Sequence, residues 1–222
     1  MAGSIVEREI RNSVIDKIRQ LRPDSRIIHE LNTNGTGSCR ADIAAIGIEE
    51  ILMFEIKSER DKLARLTKQQ EAFKNCSHKF FIVLDKKFFK EKVYSDDRKN
   101  CLEPNLELET ILGSRLVKDH IWHYPEPLTD QFLFDHSWKI EPRRYGQNFF
   151  PTPNTRAMLN LLWAEELREV CRNLVLPYLS KDNMMKLIER IILGATGRHI
   201  VQQVCLMLRK RRFAEADDGI EV

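Results

Sequence analysis

The chain reads as an α/β protein: a mixed central sheet flanked by helices, followed by a helical C-terminal subdomain. Three observations lead there. β-rich runs at residues 26–31, 41–46, 51–57 and 80–84 lie close together in the N-terminal part. A helical pattern over 61–76 separates the third run from the fourth, which calls for a crossover connection. Three wide apolar stripes at helical spacing follow residue 153.

The elements follow in order. Residues 5–21 predict an amphipathic helix with Ile10, Val14, Ile18 and Leu21 on one stripe, Ser4 as N-cap and Pro23 beyond its end. Glu7 shares that stripe, whereas Glu9 points about 100° away from Ile10. The first strand ends near Glu30. Asn34-Gly35-Thr36-Gly37 lacks the Gly-Lys-Ser/Thr ending of a phosphate loop and reads as a flexible connection. The next two strands are joined by a turn near Gly47. The helix over 61–76 packs through Leu63, Leu66, Gln70 and Phe73, and the strand over 80–84 completes a β-β-β-α-β order with its last two strands parallel. A further strand is expected over 117–122. Phe132, Phe134, Trp138, Tyr145, Phe149 and Phe150, interleaved with Arg143 and Arg144, read chiefly as satellite core and secondarily as a base-stacking surface.

Pro151-Thr152-Pro153 marks a boundary between residues 1–150 and a helical unit, 151–222, packed on the core. One long helix is expected from Asn154 or Thr155 through Leu174, a second capped by Ser180 and ended at Gly194, and a third after Gly197. Trp163 should be covered. The same faces also suit a homodimer interface.

Composition bounds the function. With 222 residues, 42% apolar and 31% charged, the chain can bury a sizeable core. It has no apolar run of membrane-spanning length and no signal-peptide pattern, so no membrane partner is expected. Five scattered cysteines give neither a metal knuckle nor a disulfide framework, which points to the cytoplasm. The net charge of +3 permits a nucleic-acid partner. Basic residues cluster at Lys86, Lys87, Lys90 and Lys92, and again at 209–212, where they either pair with a helix C-terminus or contact DNA.

The chemistry concentrates in Arg40-Ala41-Asp42-Ile43 and Phe54-Glu55-Ile56-Lys57-Ser58. Residues two apart share a strand face, so Glu55 and Lys57 project together while Leu52, Phe54 and Ile56 form the other, apolar face. Glu55 interrupts a nearly continuous apolar run, and a carboxylate is buried there only with a partner or a metal. The turn near Gly47 brings Asp42 beside it. Two carboxylates suit Mg²⁺ or Mn²⁺, whose other positions go to water and phosphate oxygens.

The order helix Glu, strand Asp, strand Glu-x-Lys resembles the PD-(D/E)XK nuclease superfamily. The likeness is closest to small phage and bacterial members with R-x-D and E-I-K-S strands. Asp61, Leu63, Arg65-Leu66, Gln69 and Phe73 resemble that group's next helix, and Leu162-Trp163 with Glu165-Glu166-Leu167 resembles its C-terminal helix. Ala41 stands where the superfamily name has Pro, and Phe73 where relatives often have Tyr. The resemblance implies a restriction-endonuclease-like core and a Mg²⁺-dependent deoxyribonuclease acting on DNA in phage or bacterial DNA processing or repair. It implies metal ligation by Asp42, Glu55 and the Ile56 carbonyl, with Glu7 as a further acid and Glu9 or Glu30 as alternatives. Lys57 orients water and stabilises the charged phosphorus, with some general-base character, and Gln69 meets the phosphate backbone or holds Lys57. The rivals are a nuclease-fold binding or partner-recruiting module with little cleavage, and a structure-selective junction or RNA-processing nuclease.

Overall fold

The computed structural model describes residues 5–33, 39–93, 100–112, 120–126, 138–140 and 153–219. Helix α1 (Ile5–Leu21) leads into β1 (Arg26–Asn32), β2 (Arg40–Ile46) and β3 (Ile51–Lys57). Then come α2 (Leu66–Cys76), β4 (Lys79–Asp85), the hairpin strands β5 (Phe89–Val93) and β6 (Asn100–Pro104), α3 (Leu106–Leu112) and β7 (Ile121–Tyr124). The C-terminal helices are α4 (Thr155–Leu159), α5 (Ala164–Asn173), α6 (Met184–Gly194) and α7 (Gly197–Lys210).

The described residues form a mixed five-stranded sheet in the order β1-β2-β3-β4-β7. β1, β2 and β3 are antiparallel neighbours, while β3-β4 and β4-β7 are parallel. The Gly47 amide donates to Glu50 O (2.8 Å) in the turn between β2 and β3, as its position in the sequence implies. Strand alternation divides the core in two. Ile43, Ala45, Leu52, Phe54 and Ile56 pack against Ile10, Val14 and Ile18 of α1. Ala44, Ile46, Ile51 and Met53 face α2 and the C-terminal helices, in one apolar cluster that reaches Leu167, Ile191 and Leu208. Trp138 stacks on Trp122 at 4.9 Å and belongs to the α1-side core.

Several expected bounds shift for physical reasons. α2 begins at Leu66, not near 61, because Asp61 Oδ2 accepts from the Ser58 amide and hydroxyl (2.7 and 2.6 Å) and fixes a turn first. The long helix after Asn154 is broken. Asn154 caps α4, and the chain restarts at Trp163, whose amide donates to Glu166 Oε2 at 2.7 Å. α6 is capped by Asn183, which accepts from Lys186 N, rather than by Ser180. Trp163 is 55% exposed, with the Arg211 guanidinium 4.4 Å from its ring. The strand expected over 117–122 is β7, which begins four residues later and ends two residues later, and 117–119 lie outside the described residues. So do Ser4, the 34–37 connection, Phe132, Phe134, Arg143, Arg144, Tyr145, Phe149, Phe150, Pro151 and Thr152.

The segment after α7 returns to the free edge of β1. His29 N donates to Glu215 O and Asp217 N to Ile27 O, both at 3.0 Å, and Ile28 bridges to Ala216. Arg26, buried, donates to the carbonyls of Leu208, Arg209 and Arg211 at the end of α7 and to Asp217 O.

Candidate active site

Glu55 and Lys57 leave β3 on the α2 side of the sheet, the face of Ile51 and Met53. They are only 3% and 4% exposed. Lys57 Nζ donates to Glu55 Oε1 at 2.6 Å, and Gln69 Nε2 from α2 donates to the same oxygen at 2.5 Å. Glu55 Oε2 and Gln69 Oε1 are buried without a hydrogen-bond partner. A bare carboxylate oxygen beside a satisfied one is an acceptor reserved for something else, since burying it unpaired is costly. Gln69 therefore grips Glu55, where the expected partner was the phosphate backbone or Lys57.

Asp42 lies one residue beyond the Ile43–Phe54 pair, at the mouth of the β2–β3 ladder. Its Oδ2 accepts from the Ile56 amide at 2.7 Å. In an extended strand the carbonyl of a residue leaves on the same side as its amide, so Ile56 turns both groups toward Asp42. The backbone on the β1 side is opened as well. Ile27 and His29 direct their main chain outward to the C-terminal segment, so alternation turns Glu30 inward, opposite Asp42. Pairing nevertheless passes from His29–Ile43 to Leu31–Ala41 with no Glu30–Asp42 pair, and Glu30 has φ of 56°, in the left-handed region. The Asp42 carbonyl accepts instead from Arg11 Nη1 at 2.7 Å.

Arg11 is the central cleft residue that the sequence did not disclose. Its Nη2 lies 3.4 Å from Glu30, 3.5 Å from Glu7 and 4.0 Å from Asp42 Oδ1. Glu7 reaches the same cleft, but from the opposite face of the sheet to Glu55, with Arg11 bonded to it. Among the described residues no three acidic, His or Cys side chains converge closely enough to hold a metal ion alone. Glu7 is thus placed on Arg11 and not in a ligand set with Asp42 and Glu55. Glu30 also pairs with Arg11 and Arg40, and Glu9 does not line the cleft.

The cleft has a volume of about 860 Å³, and Asp42, Glu55, Ile56, Lys57 and Gln69 all line it. Burial and the neighbouring Glu55 charge push the Asp42 carboxyl up to about 7, against the Ile56 hydrogen bond and Arg11. Burial also raises Glu55, opposed by Lys57, Gln69 and Arg65. Two hard oxygen donors that hold protons this strongly, one with a bare buried oxygen, fit a divalent cation that completes its shell with water and phosphate.

Among the described side chains of the two basic clusters singled out in the sequence, none lines this cleft. Arg211 is buried against Glu166 and Leu161 O, Lys210 meets Glu169, and Arg209 reaches Asp24 O. Lys87 donates to the carbonyls of Glu59 and Asp61 and steadies the turn after β3.

The described residues thus form an α/β protein with acidic and basic side chains gathered at one end of a mixed sheet. Residues 1–98, covering α1 through β5, match the family model of bacteriophage P4 protein cII. No curated protein and no solved structure matches the chain.

Proposed function

We propose that this chain is a Mg²⁺- or Mn²⁺-dependent nuclease that hydrolyses DNA phosphodiester bonds, with a restriction-endonuclease-like core working in the cytoplasm during phage or bacterial DNA processing. One observation carries the reading. Glu55 is almost fully buried with one oxygen held by Lys57 and Gln69 and the other bare, next to an Asp42 that resists ionisation. A sheet built only for stability has no use for that arrangement. The likeness of residues 1–98 to a phage family supports the phage setting.

Asp42 and Glu55 would hold the cation, with the Ile56 carbonyl on the same side. Bound there, it supplies Lewis-acid polarisation of the phosphate and a more acidic water. The rest falls to the chain's own groups. The Ile56 amide sets the direction of the Asp42 carboxylate, Arg11 holds the Asp42 main-chain carbonyl, and Gln69 sets the direction of Glu55. Lys57, fixed at the end of β3, places an ammonium where negative charge grows on the phosphoryl oxygens and where the attacking water must be oriented.

The test is incubation of the purified protein with circular single-stranded, circular duplex and linear DNA under Mg²⁺, Mn²⁺ or EDTA. Cation-dependent cutting is expected, abolished in Asp42→Ala and Glu55→Ala with the fold retained. Undiminished, EDTA-insensitive cutting by both variants would refute the proposal.

A further inference from the structure

The cations around the cleft fall into two sets. Arg11, Arg40 and Lys57 are already bound to carboxylates: Arg11 to Glu7 and Glu30, Arg40 to Glu30, and Lys57 to Glu55. Arg8 of α1 lines the same cleft, exposed and in no ion pair with a described acid, and so do Arg65 and Lys68. Arg65 and Lys68 stand three apart at the start of α2, so their side chains are neighbours on one rim. The next residue, Gln69, touches Glu55. This rim therefore adjoins the buried carboxylate whose Oε2 lacks a partner.

The opposite end of the cleft is mixed in sign, with Glu7 and Glu30 held by Arg11 and Arg40 and with Arg8 beside them. The sheet order places β3, β2 and β1 successively further from α2, and the 215–217 segment lies beyond β1. Glu30 stands on β1, and Glu215 is brought to the cleft lining by the pairing of its carbonyl with His29 N. The segment is anchored, not loose: Asp217 accepts from the Ile27 amide at 2.9 Å and its carbonyl from Arg26 at 2.8 Å. The α2 side of the Asp42–Glu55–Lys57 group thus carries two exposed cations, Arg65 close enough to Glu55 to favour its charged form, whereas Glu30, Arg11 and Arg40 on the β1 side already engage one another.

We infer that Arg65 and Lys68 form the phosphate-holding rim of the cleft, so that the substrate is gripped on the α2 flank of the cleavage point. This rests on the nuclease reading for its substrate class. Cations outside ion pairs gain most from phosphates, because no existing pair has to be broken.

The test is binding of fluorescein-labelled single-stranded and duplex oligonucleotides to the full chain in EDTA, by anisotropy, between about 50 and 200 mM salt. Loss of two phosphate contacts in Arg65→Ala/Lys68→Ala should reduce the slope of log affinity against log salt by about 1.4 on single strands or about 1.8 on duplex. Affinity should fall by about ten- to a hundredfold. Lys86→Ala/Lys90→Ala, exposed cations away from the cleft, should change nothing. An unchanged slope in the rim variant, or an equal loss in the Lys86/Lys90 variant, overturns the inference. Cleavage is assayed separately with Mg²⁺. A protein that never cuts but shows the rim-dependent slope loses the nuclease reading and keeps the rim, whereas one that cuts without the slope change keeps the nuclease and loses the rim.

Discussion

Asp42 is costly to ionise without a cation, and that gives a stability signature independent of catalysis. Its folded-state pKa of about 7 lies above the ordinary 3.8. The contribution is therefore fully present below about pH 4 and lost as the pH rises through about 7. Metal-free protein should lose stability over that window, on the order of a few kcal/mol. Asp42→Asn keeps an acceptor for the Ile56 amide but carries no charge, so it should raise the midpoint of thermal unfolding in EDTA at pH 8 and hardly change it at pH 4. Equal midpoints for both proteins at pH 8 would contradict the burial argument. Lys57→Ala should slow cleavage by ~10²-fold or more while the Mg²⁺ concentration needed for half-maximal rate stays put. A loss confined to metal affinity would make Lys57 a structural support. Asp42, Glu55 and Lys57 were legible in the sequence because a carboxylate inside an apolar strand, with a lysine two residues on, can be buried only against a partner or a metal. Arg11 was not, since its role depends on the Glu30 backbone turning left-handed and leaving the Asp42 carbonyl open. No local pattern encodes that opening.

At the scale of elements, β1 to β4 were legible as short apolar runs and α1 because its stripe is clean, whereas β5 and β6, in the charged FKEKV and NCLEP segments, were not read. The helices beyond residue 153 were legible in number of apolar stripes but not in their ends. Leu159, Leu162, Leu167 and Val170 continue a helical stripe across the break between α4 and α5, so periodicity alone reads them as one helix. The break is set by tertiary partners: Arg211, from the end of α7, binds Glu166 and the Leu161 carbonyl and lies over Trp163. Arg211→Ala should therefore destabilise the fold by about 2–4 kcal/mol, since it strands Glu166 and a buried carbonyl. Arg211→Lys should rescue little of this, because an ammonium cannot reproduce the forked contacts. Urea unfolding decides it, and a loss below about 0.5 kcal/mol would place Arg211 among surface charges of no consequence.

The whole molecule is knit by an apolar cluster that passes from the sheet through α2 into α4, α5, α6 and α7. The proline-marked boundary expected near residue 151 therefore separates segments of sequence whose described parts share a core. A chain ending at Gln147 retains every proposed catalytic group yet exposes the α2-facing side of the sheet. It should be poorly soluble and inactive, with activity regained only on co-refolding with the remaining residues. A soluble, monomeric and active fragment, judged by size-exclusion chromatography and the cleavage assay, would show instead that the helices are an independent module.

The buried guanidinium of Arg26 has a bearing on timing during synthesis. It starts β1, yet its acceptors are carbonyls of residues 208–217, up to 191 positions later in the chain. Loop closure of that length is slow, and its reward comes only at the end. As the polypeptide leaves the ribosome, β1 emerges early and waits for its outer neighbour with an unpaired edge and a lone cation. The nascent chain thus passes most of its synthesis in a state where the wall carrying Glu215 does not yet exist, and a chaperone that shields strand edges should associate with the growing polypeptide until residue 217 is free.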